Sequence, residues 1–115
     1  MSAECLFCKM VSGKIKPNTV YEDSDVLAFR DINPQAPVHI LVIPKKHIAT
    51  LNDLNQRDED LVGKLITTAA RIAKESGVAE SGYRTVMNCN ADAGQSVFHV
   101  HLHLLGGRVM RWPPG

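Results

Sequence analysis

Near its end the chain alternates with a period of two, His99-Val100-His101-Leu102-His103-Leu104-Leu105, and in its middle apolar residues recur at three- and four-residue spacing. The first pattern predicts a strand with three imidazoles on one face and Val100, Leu102 and Leu104 on the other, against a core. The second pattern, Leu61, Val62, Leu65, Ile66, Ala69, Ala70, Ile72 and Ala73, predicts one apolar stripe on a long helix. Asn55 reads as its N-cap, Asp58, Glu59 and Asp60 complement the positive end of its dipole, Lys74 lies near the negative end, and Gly77 closes it. Leu6 to Gly13 predicts a short helix, with Pro17 following as a breaker. Thr19 to Glu22 and Val26 to Asp31 read as strands around the turn Asp23-Ser24-Asp25, and Val38 to Ile43 as a β-branched strand stopped by Pro44. Tyr83 to Asn88 is a further strand, and Asn90 to Gln95 a polar loop feeding the histidine strand. Five strands with hairpin-length links around one long helix predict an α+β fold with a mostly antiparallel sheet.

At 115 residues this is one domain, 1–115, with a real but modest core. The formal net charge of +1 and a single basic pair, Lys45-Lys46, leave no electrostatic footprint for nucleic acid. A small anionic ligand needs only a few well-aimed donors. Residues 1–5 lack a signal-peptide pattern, and no stretch approaches the roughly 20 apolar residues of a membrane span. Three cysteines are a sparse, odd set for a disulfide framework, which makes a reducing cytoplasm the expected location.

The histidine row admits three readings: a polar strand face, a metal site, or acid–base and nucleophilic work on a phosphate. Three of five histidines at strict period two argue against the first. Imidazole titrates near pH ~6.5, so one ring can be a neutral nucleophile while a neighbour donates a proton. Gly94-Gln95-Ser96, just before the row, offers backbone N–H groups and a hydroxyl to phosphate oxygens, which favours the third. Cys5-Leu6-Phe7-Cys8 is either a redox pair or half of a zinc site; no strand precedes it, as a redox pair of the thioredoxin type requires. Cys89 reads as a small apolar filler.

His99 to Leu105 resembles the His-x-His-x-His signature of the histidine-triad (HIT) family of nucleotide hydrolases and transferases. The resemblance covers essentially the whole chain. Phe29 to His39, Ile43-Pro44-Lys45-Lys46-His47 and the closing Leu105 to Gly115, with Gly106-Gly107-Arg108 and Trp112-Pro113-Pro114-Gly115, are similar to its nucleotide-binding (Hint) branch. The resemblance implies a HIT-like fold and hydrolysis of purine nucleoside phosphoramidates, with AMP or GMP released from an amine. It implies that His101 attacks the α-phosphorus to form a nucleotidyl-histidine, held in the right tautomer by the carbonyl of His99. His103 would assist phosphate or leaving group, with His39 as a fourth imidazole and Ser96 beside them. Asn88, Gly94, Gln95 and Ser96 would bind phosphate, Asp31 the ribose hydroxyls, and Ile32, with Phe7 and Leu41, the base. A strand-end turn is the competing role for Asp31.

The same resemblance implies a structural zinc on Cys5, Cys8, His47 and His99, within an N-terminal segment 1–13, and no metal at phosphorus. It also implies a homodimer, with the tail 106–115 bringing Trp112 to the neighbouring subunit's pocket. Dinucleoside polyphosphate hydrolysis or nucleotidyl transfer is the alternative chemistry, although His103 stands where the galactose-1-phosphate transferase branch has glutamine. A nucleotide-binding regulatory module is the alternative outside catalysis.

Overall fold

A computed structural model describes residues 4–115; the first three residues of the predicted 1–13 segment lie outside the described part. The described chain runs α1 (Leu6–Val11), β1 (Thr19–Glu22), β2 (Val26–Arg30), β3 (Val38–Pro44), α2 (Glu59–Glu75), β4 (Tyr83–Val86), α3 (Asn90–Ala93) and β5 (Leu102–Gly106). The strands form one five-stranded sheet in the order β1-β2-β3-β5-β4, antiparallel at every pairing. The expected α+β architecture is the one observed. Among the described residues no helix is long and apolar enough to cross a membrane.

The sheet is covered on both faces, and this governs where chemistry can sit. Val26, Ala28, Ile40, Val42, Leu102 and Leu104 point to one face and pack with Leu65, Ala69, Ile72 and Ala73 of α2. Leu27, Phe29, Leu41 and Ile43 point to the other and pack with Phe7 of α1. Strands buried on both sides read as unbroken apolar runs, as Val26-Leu27-Ala28-Phe29 does. Val100, Leu102 and Leu104 all join the α2 side, so the imidazoles of the row face the α1 side.

Several boundaries move. The histidine row is not a strand throughout: the chain bends at His99, and the regular ladder of β5 starts only at Leu102, opposite Val42. Lys45 donates its N–H to Asp25 on the β2 side, so by alternation the Pro44 nitrogen faces β5, where proline has no hydrogen to give. Val100 instead donates to the carbonyl of Ile48 at 2.7 Å. Asn55 does not cap α2; it caps a 3-10 turn, Gln56–Asp58, through a reciprocal pair in which Asn55 accepts from Arg57 N and Asp58 accepts from Asn55 N. The α2 stripe is narrower than its apolar residues suggest, since Ile66 and Ala70 are exposed while Thr68 is buried. β4 stops at Val86 rather than Asn88, and the polar loop after it contains the single turn α3.

Ile72 is buried on α2 against the sheet, so Ile72→Ala removes packing that the sheet cannot fill. We expect a loss of roughly 2–5 kcal/mol in urea unfolding; a loss below about 1 kcal/mol would mean that α2 does not carry this core.

Candidate active site and metal cluster

The N-terminal cysteines are brought together by the first turn of α1. Cys5 is its N-cap and its Sγ accepts from the Cys8 N–H at 3.3 Å, which places the two sulfurs one turn apart at the same helix end. The segments after β3 and before β5 supply His47 and His99. Cys5 Sγ lies 3.4 Å from His99 Nδ1, Cys8 Sγ 3.2 Å from His47 Nδ1 and 3.6 Å from His99 Nδ1, and the two nitrogens are 3.2 Å apart. A tetrahedral ion with zinc-type bonds separates its nitrogens by about 3.4 Å and nitrogen from sulfur by about 3.6 Å. The four side chains therefore fit one metal ion. His99 is fully buried, and its Nε2–H donates to the carbonyl of Pro44 at 2.7 Å, which leaves the Nδ1 lone pair aimed at the cluster.

The remaining imidazoles are ordered by backbone groups, one accepting and one donating. His101 Nδ1 lies 2.7 Å from the carbonyl of His99; a carbonyl only accepts, so Nδ1 carries the hydrogen and Nε2 is bare. The backbone N–H of Gln35 donates to His39 Nδ1 at 3.0 Å, which puts the His39 hydrogen on Nε2. That Nε2 is 2.9 Å from His103 Nδ1 and 3.4 Å from Asp31 Oδ2. His103 Nδ1 accepts, so its own hydrogen stands on Nε2. One ring thus presents a lone pair and its neighbour, 5.0 Å away between centroids, presents a donor.

Burial keeps these rings neutral. It pushes His39, His99 and His101 below the ordinary imidazole range, the nearby Asp31 carboxylate opposing it for His39 and His101. His103 falls to about 4, through burial first and then through His101 and His39 beside it. Asp31 makes the strand-end turn, Oδ1 accepting from Asn33 N at 2.8 Å, while Oδ2 faces His39.

His101, His103, Asp31 and Ser96 line a cavity of about 390 Å³ together with the apolar Phe7, Leu41, Phe29, Met10 and Ile32. The apolar walls suit a flat ring and the polar end suits an anion. Ile32 is 99 % exposed, so it is a rim residue rather than part of a closed wall. Asn88 and Gly94 do not line this cavity, and neither does Gln95. The Gln95 side chain is buried and spent on the backbone: Oε1 accepts from Asn90 N, and Nε2 donates to the carbonyls of Ala49 and Val97. It braces the loop that presents Ser96, and Gly94, in the left-handed region at φ 81°, closes α3 in that loop. Sequence reasoning missed Phe29 and Met10. In a uniformly apolar strand nothing marks which residue faces a ligand, and only the contact with Phe7, 5.5 Å between ring centroids, identifies the face.

A model of the HIT domain matches residues 12–110. The chain is 51% identical to a protein named purine nucleoside phosphoramidase from Escherichia coli (strain K12), over 96% of this chain and 92% of that one. Among solved structures it resembles a HIT family hydrolase from Legionella pneumophila Philadelphia 1, with 55% identity, TM-score 0.96 and coverage of 97% of this chain and 100% of that one. It also resembles a histidine triad nucleotide-binding protein from Candida albicans, with 30% identity, TM-score 0.82 and coverage of 96% and 83%. With the signature row, the fold and the matched family model in agreement, this chain belongs to the HIT domain family.

Proposed function

We propose that the protein is a hydrolase of purine nucleoside 5′-phosphoramidates. The observation that carries this reading is the bare Nε2 of His101 at the polar end of an apolar-walled cavity, beside the Nε2–H of His103. In the proposed course, His101 Nε2 attacks the α-phosphorus while the P–N bond to the amine breaks. The amine is protonated as it leaves, and a nucleotidyl-histidine remains. Water then attacks phosphorus, the bond to His101 breaks, and a nucleoside monophosphate departs. Two displacements replace one difficult step. The His101 hydrogen bond to the His99 carbonyl stabilises the ring as positive charge develops on it.

In the same reading His103 donates to a phosphoryl oxygen or the leaving nitrogen, its orientation set by His39 and, through it, by the Gln35 N–H. Ser96, which lines the same cavity, offers its hydroxyl. Asp31 accepts from the ribose hydroxyls, and Phe7, Phe29, Leu41 and Ile32 enclose the purine. Asn88 and Gly94 serve the phosphate site through the loop backbone, and Gln95 acts by holding that loop. The cluster of Cys5, Cys8, His47 and His99 holds a structural zinc, which suits a two-sulfur, two-nitrogen donor set at tetrahedral spacing. The half-exposed Ile66 on α2, Tyr83 on the edge strand β4 and the exposed Trp112 support a homodimer.

His101→Asn is expected to lower turnover of adenosine 5′-phosphoramidate by more than about 10³-fold while AMP binding stays within a small factor. Intact-mass analysis during turnover should find the nucleotidyl adduct in wild type and none in the variant; comparable activity in both rejects the covalent route. With His101 and His39 held below the ordinary imidazole range and His103 near 4, the acid limb of kcat/KM should lie below pH ~6.5, as protonation removes the His101 lone pair and the bond from His39 to His103. An acid limb centred near pH ~6.5 would contradict that assignment. Purified protein should carry about one zinc per chain, lost in the Cys5→Ser/Cys8→Ser double variant together with thermal stability. Metal-free preparations of unchanged stability would reject the zinc.

A further inference from the structure

The metal cluster and the attacking imidazole are joined through His99 in three ways. The ring of His99 is a ligand, and its own carbonyl receives the Nδ1–H of His101 at 2.7 Å. Phe7, held between the two cysteine ligands on α1, packs edge-on against the rings of both His99 and His101, at 5.9 and 5.1 Å between centroids. Val100 donates to Ile48, so the residues following the ligands His99 and His47 are tied to each other. Any shift of the four ligands therefore moves the carbonyl, the aromatic wall and the backbone segment that aim His101.

The cluster is also poised to shift. Two ring nitrogens 3.2 Å apart, with two sulfurs 3.2 to 3.6 Å from them, crowd four electron-rich atoms that repel one another unless a cation or a proton stands among them. Cys5 and His47 line a surface cavity of about 380 Å³ with Glu4, Leu6, Ser96 and Phe98, so an ion reaches the ligands from solvent without unfolding the sheet. Ser96 lines this cavity and the larger one alike, a second route between the two sites.

We propose that the cluster is a positioning device for the nucleophile: occupancy of Cys5, Cys8, His47 and His99 by a divalent ion holds His101 in the Nδ1–H tautomer, so phosphoryl attack depends on an ion that touches no substrate. His99 is the positioning residue through which this acts. The inference rests on His101 being the nucleophile, but its first readout does not require turnover. Nitrogen-15 NMR of the imidazoles should show a single Nδ1–H tautomer for His101 in the zinc-loaded protein and a mixture after removal of the ion by a chelator. Loading with cadmium should restore the single tautomer, and its cadmium-113 signal should report two sulfur ligands. Rapid-quench intact mass should show nucleotidyl-adduct formation slowed on the order of 10-fold or more without the ion, with the affinity for AMP unchanged within a small factor.

The Cys5→Ser variant keeps three ligands and guards against collapse of the metal-free chain, since zinc can be titrated into it while circular dichroism stays constant. Tautomer and adduct rate should rise together with occupancy. An unchanged tautomer across that titration overturns the coupling, as does an adduct rate indifferent to occupancy. Absence of any adduct in the loaded wild type would instead refute the proposed chemistry, while the tautomer measurement would still decide whether the cluster positions His101.

Discussion

The hydrogen bond from His101 Nδ1 to the carbonyl of His99, 2.7 Å long and buried, is the constraint around which the site is organised. It decides which nitrogen of His101 is bare, and imidazole chemistry depends on that choice more than on where the ring lies. The bond forms where residues 99–101, with a bend at His99, are released from the sheet ladder. In a regular antiparallel ladder the backbone groups of His99 and His101 would be committed to the neighbouring strand. The pairing with β3 ends at Val42 and Leu102 and the pairing with β4 at Val86 and His103, and the Pro44 carbonyl receives His99 Nε2–H.

A second consequence of geometry is the division of the sheet. Burying both faces of β2 and β3 gives α2 one side and leaves the other to α1, the imidazoles and the cavity. Four neutral histidines can stand there because each nitrogen with a hydrogen has an acceptor or an opening, and no buried side-chain nitrogen or oxygen among the described residues lacks a partner. Burial lowers their basicity, and neutrality in turn permits rings 5.0 Å apart without mutual repulsion. The polar row and the apolar walls are therefore complementary requirements.

The strands, the long helix and the shared face of the histidine row were legible because each depends on local periodicity, which the backbone converts directly into faces. The long helix lost its expected cap because a 3-10 turn with its own reciprocal capping intervenes, and cap residues alone do not reveal which turn they close. Gln95 was misassigned for a related reason. A glutamine in a polar loop looks like a ligand group, whereas two backbone atoms of its own loop and the distant carbonyl of Ala49 consume its amide here.

The sequence by itself determined the elements, the α+β class and the set of side chains able to do chemistry: the histidine row, the Cys-x-x-Cys pair, His47 and Asp31. Those follow from period and residue type, which act over a few residues. Only the tertiary structure decided how the histidines divide. His99 turns its ring to the cysteines and its carbonyl to His101, and His103 takes its orientation from His39 on another strand. Each of those assignments rests on a hydrogen bond or close contact whose partner is specified by folding, and a period of two makes three imidazoles neighbours without making them different.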